Sequence, residues 1–65
     1  MPGELRFADI RRFLEHHGYT LQRISGSHHI FGRPNSPTIS IPVHKGRAKP
    51  IYIRQIERTL GVSFK

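Results

Sequence analysis

Residues 19–31 read Tyr-Thr-Leu-Gln-Arg-Ile-Ser-Gly-Ser-His-His-Ile-Phe, and the fold depends on how they divide. Tyr19 to Ile24 is β-compatible and partly alternating, Ser25-Gly26-Ser27 is turn-forming, and His28 to Phe31 has the composition of a second strand. A β-hairpin is expected. Downstream, Gly32-Arg-Pro-Asn-Ser-Pro37 is dense in turn formers, and Thr38 to Pro42 alternates cleanly before Pro42 confines the strand to an edge or an end. These segments predict a three-stranded antiparallel sheet.

Both flanks carry helical spacing. From Phe7 to His17 the apolar residues Phe7, Ile10, Phe13 and Leu14 recur on one face, with Asp9, Arg11, Arg12 and Glu15 on the others. Gly18 predicts a left-handed C-cap, and His16 and His17 read as surface residues or partners of the negative helix end. After the basic stretch His44-Lys-Gly-Arg-Ala-Lys49, read as a loop, Pro50 suits a first helical turn, and Ile53, Ile56 and Leu60 repeat until Gly61. The expected order is α-β-β-β-α, an α+β domain with both helices laid on one face of the sheet.

Length and composition bound what this fold can do. A chain of 65 residues has room for one domain, expected over residues 1–65, and buries only about 60% of its unfolded surface. There is no cysteine, which excludes disulfide staples and thiolate zinc sites and favours a reducing compartment. No apolar run reaches the ~20 residues of a membrane span, and Met-Pro-Gly-Glu-Leu-Arg lacks a signal peptide's apolar stretch. A soluble, cytoplasmic protein without a membrane partner is expected. Eleven Lys and Arg oppose four Asp and Glu, for a net charge of +7 and a pI near 11.3, so a polyanion or an acidic protein is the expected partner. Eight of those cations are Arg, whose planar fork suits phosphate oxygens.

Phosphodiester chemistry is within reach of these residues. Cleavage of RNA needs a base for the 2′-hydroxyl proton, donors for the charge developing on phosphorus, and an acid for the departing 5′-oxygen. Histidine is the natural base, since a free imidazole titrates near pH ~6.5. The Gly26 turn can bring backbone N–H groups close to a phosphate, and Ser27 adds a hydroxyl. His44, Lys45 or water can supply the acid. If Arg33 pairs directly with Thr38, residue 28 falls opposite residue 43 and His44 comes beside the Ser27–His28 corner. Tyr19, Tyr52 and Phe31 read as packing ahead of base stacking. The adjacent pairs His16-His17 and His28-His29 lack zinc-ligand spacing, and the few carboxylates do not suit a magnesium site, so neither metal nor cofactor is expected.

The order α-β-β-β-α, with Gly26-Ser27-His28-His29 opening the second strand and Ile41-Pro42-Val43-His44 closing the third, resembles the HicA family of bacterial toxins from Phe7 to about Val62. That resemblance implies a fold like the double-stranded RNA-binding domain. It also implies an mRNA endonuclease of a type II toxin–antitoxin system, silenced by a HicB-type antitoxin. The family's catalytic histidine falls on His28, and Gly26 and Ser27 occupy the turn that presents it. His29, His44, Lys45, Arg47 and Lys49 complete the candidate substrate-binding set. Family members commonly enter the second helix through Gly-Thr-Leu, whereas this chain has Lys49-Pro50-Ile51-Tyr52-Ile53. Two other readings stand beside the nuclease: a non-catalytic RNA-binding module, in which His28 is a contact only, and a basic face that serves mainly to dock an acidic antitoxin.

Overall fold

The computed structural model describes residues 4–64. The expected helix, three strands and helix are present, and each helix is preceded by a further two-residue strand. In chain order β1 is Leu5–Arg6, α1 Phe7–His16, β2 Thr20–Ser25, β3 His28–Gly32, β4 Ile39–Pro42, β5 Arg47–Ala48 and α2 Pro50–Leu60.

The two helices form where the spacing indicates, and they end on glycine. On α1, Ile10 and Leu14 stand four residues apart and are wholly buried, so they lie one above the other on a single face. Gly18 has φ +85°, and the chain closes around it: Gly18 N donates to Glu15 O at 3.1 Å and Tyr19 N to Leu14 O at 3.0 Å. Those two bonds are the Schellman pair that satisfies the last carbonyls of a helix. On α2, Pro50 occupies the first turn, Ile53 and Ile56 are buried, and Gly61 N and Val62 N both donate to Glu57 O.

The sheet runs β2-β3-β4, antiparallel throughout. Its inner face carries Phe31, Ile39 and Ile41, which join Ile10, Leu14, Ile53 and Ile56 in one buried cluster. Both helices therefore cover the same face. The opposite face has no covering element, and register places Arg23 and Ser25 of β2, His28 and Ile30 of β3, and Ser40 and Pro42 of β4 on it.

Two corrections to the expected pairing follow. His28 lies opposite Pro42, not residue 43. The expectation required Arg33 to be a ladder residue, but Arg33 is held back in the turn: its Nη1 donates to His17 O at 2.7 Å, its Nε to Ser36 Oγ at 2.9 Å, and its guanidinium lies 4.7 Å from the Tyr19 ring centroid. Asn35, at φ +60°, lets the connection take five residues between Gly32 and Thr38.

The second correction concerns 44–49, which is not a loop. His44 and Arg47 exchange both backbone bonds at 2.9 Å around Lys45 and Gly46, at φ +54° and +75°, the paired positive angles of a type I′ hairpin turn. β5 then pairs with β1, Leu5 opposite Ala48 and Arg6 opposite Arg47. Phe7 N donates to Gly46 O at 2.8 Å, so the hairpin tip satisfies an N–H that the start of α1 leaves open.

Candidate active site

The connection between β2 and β3 consists of Gly26 and Ser27 alone. Gly26 has φ +61° and Ser27 has no positive φ, the sign pattern that puts glycine first in a II′ hairpin turn. A β-carbon on Gly26 would meet no atom within 4 Å, so the backbone angle is what selects glycine here. The Ser27 carbonyl is held from two sides, by Val43 N at 2.7 Å and by His29 Nδ1 at 3.2 Å. A turn pinned in this way fixes where β3 begins.

His28 is the first residue of β3. Its side chain is exposed on the open face of the sheet, with Ser25 opposite on one side and Pro42 on the other. Nδ1 lies 3.3 Å from Ser40 Oγ. When that nitrogen carries the proton and donates to Ser40, Nε2 holds the free lone pair and is the atom able to accept a proton. This arrangement matches a base with an orienting partner.

His29, grouped with the substrate contacts on sequence, is turned the other way. It is half-buried, with its ring centroid 4.5 Å from that of Phe7, and its bond to the Ser27 carbonyl braces the turn from beneath. His44 does not join His28 either. Continuing the observed register puts it opposite Gly26, and its side chain lines a small concavity with Arg47 and Lys49. Lys45 stands at the hairpin tip between His44 and Arg47. His17 closes α1, with Nδ1 donating to Phe13 O at 2.9 Å. Tyr19 and Phe31 are wholly buried, which removes them as base-stacking surfaces, while Tyr52 is half-buried.

Two residues of this face escaped the sequence reading. Ser40 sits at a polar position of an alternating strand, a signal that gives its face but not its neighbour. Arg23 reaches the face only because β2 bulges between Leu21 and Arg23. Without the extra residue Arg23 would pair with His29 on the inner side. Gln22, at the bulge, lies over Gly32, where a β-carbon would come within 2.3 Å of its amide.

Charge is unevenly distributed over the molecule. Among the described residues all three ion pairs lie on α1 or at its start, Arg6–Asp9, Arg12–Asp9 and Arg11–Glu15. Glu57 accepts the Phe64 N–H at 2.7 Å. Among the described residues Arg23, Lys45, Arg47 and Lys49, like Arg54 and Arg58 of α2, have no carboxylate partner, so the open face and the hairpin beside it keep their positive charge. Such a surface favours a polyanion and raises its local concentration. No cluster of three or more His, Asp or Glu spaced for a metal ion occurs among the described residues, and no helix there is long and apolar enough to cross a membrane.

Residues 7–62 match a family model described as HicA toxin of bacterial toxin-antitoxin. No curated protein and no solved structure matches the chain.

Proposed function

This chain belongs to the HicA toxin family and is a toxin of a toxin–antitoxin system, and on that premise we propose that it is an endoribonuclease of mRNA with His28 as general base. The observation that carries the reading is His28 itself, exposed on an uncovered sheet face at the end of a pinned glycine turn, with Nδ1 on Ser40 and Arg23 on the same face.

In the proposed reaction Nε2 of His28 takes the proton of a ribose 2′-hydroxyl. The 2′-oxygen attacks phosphorus, and the bond to the 5′-oxygen breaks. That oxygen leaves with a proton from Lys45 or water, since His44 does not join His28, giving a 2′,3′-cyclic phosphate and a 5′-hydroxyl. The Gly26–Ser27 turn and Arg23 offer donors to the phosphate oxygens as charge builds there. Lys45, Arg47 and Lys49 hold neighbouring stretches of strand. Each step uses side chains of this chain and calls for neither metal nor cofactor. A HicB-type antitoxin silences the enzyme by laying complementary charge over the same face. The alternative of a non-catalytic RNA-binding module gives the Ser40–His28 contact no use.

Analysis of the cut ends tests this chemistry. RNA digested by the purified protein should carry 2′,3′-cyclic phosphates, and a strand with 2′-deoxyribose at the cut site should resist. Products with 3′-hydroxyl and 5′-phosphate ends would refute attack by the 2′-oxygen.

A further inference from the structure

Beyond His28, the strongest concentration of unpartnered basic side chains around a concavity lies along the outer edge of β4. A hollow of about 90 Å³ is lined by Glu4, Pro42, His44, Arg47, Lys49 and Tyr52. We infer that this hollow is a second phosphate site, which holds a backbone phosphate of the RNA strand next to the one cleaved at His28. The inference rests on the nuclease reading and deepens it.

Size and lining agree with that ligand. The hollow has room for one tetrahedral oxyanion. Arg47 and Lys49 are unpaired cations, His44 offers a ring N–H, and Tyr52 offers a hydroxyl. One carboxylate, on exposed Glu4, shares the rim, and it makes no ion pair with any of them.

The backbone around the hollow is fixed before any ligand arrives. His44 and Arg47 are tied by two 2.9 Å bonds, Arg47 is paired with Arg6 in the β1–β5 ladder, and the Gly46 carbonyl is anchored to Phe7 N. Lys49 directly precedes α2, from which Tyr52 rises one turn later. Rigid stems lower the ordering cost of binding.

Pro42 links the hollow to His28. It pairs with His28 across the β3–β4 ladder and also forms a wall of the hollow, so the hollow lies on the far side of Pro42, just beyond the strand next to His28. An RNA strand crossing β4 would place one phosphate at each.

The test compares two charge-matched double variants, R47Q/K49Q at the hollow and R54Q/R58Q on α2, with wild type. All four side chains belong to exposed residues, and circular dichroism confirms the fold. Binding of a 2′-O-methyl oligoribonucleotide, which 2′-oxygen attack cannot cut, is measured against salt. Loss of one phosphate contact lowers the slope of log K against log salt by about 0.7, and this is expected for R47Q/K49Q but not for R54Q/R58Q. An unchanged slope in R47Q/K49Q, or equal losses in both doubles, overturns the subsite while leaving cleavage at His28 untouched. Failure of wild type to bind the oligonucleotide at all refutes the nuclease reading and the subsite with it.

Discussion

Lys45 holds a left-handed backbone at φ +54°, which costs a residue with a β-carbon about 1–2 kcal/mol. Asparagine tolerates that angle better. A lysine kept there, exposed at the tip of a basic hairpin, points to use of its charge. Lys45→Asn is therefore expected to raise the melting temperature by a few degrees while weakening RNA binding, measured by thermal denaturation and by titration. Ser40 gives a second test at this scale. In the proposed mechanism it orients His28, so Ser40→Ala should slow cleavage about fivefold, the rate equivalent of one hydrogen bond of ~1 kcal/mol, with KM unchanged. The histidine and its turn stand out in the chain because Gly26, Ser27 and His28 are contiguous. Arg23 and Ser40 join them only through strand pairing, and one extra residue at Gln22 decides the side on which Arg23 lies.

Elements were more legible than their pairing. Helix periodicity and terminal glycines are local signals, so α1 and α2 follow from spacing alone. Register is not local. It depended on whether Arg33 sat in the ladder, and its bond to the His17 carbonyl, sixteen residues away, takes it out. The short strands β1 and β5 were invisible for a similar reason: two residues carry no period, and each exists because the other pairs with it. The Gly26 turn sets the phase of β3 and hence the side on which His28 emerges. Gly26→Ala should cost about 1–2 kcal/mol through backbone strain alone, seen as a lower urea midpoint with an unchanged m-value.

For the whole molecule, one shared core positions everything on the opposite face. A chain of this size is expected to be stable by only about 3–10 kcal/mol, and truncating a wholly buried side chain costs about 2–5 kcal/mol. Leu14→Ala should thus lose a large part of the total, and urea denaturation would show it. His28 faces solvent and packs into nothing, so its replacement should leave that stability intact. The architecture separates the two demands: helices and inner sheet face supply the core, and the open face and the 44–49 hairpin carry the candidate site. The central claim is that His28 on that face cuts RNA, and the direct measurement is incubation of a long single-stranded RNA with folded wild type and His28→Ala in EDTA. Cleavage by wild type and none by His28→Ala is the predicted result; equal cleavage by both, or none by a wild type that still binds the RNA, would contradict it.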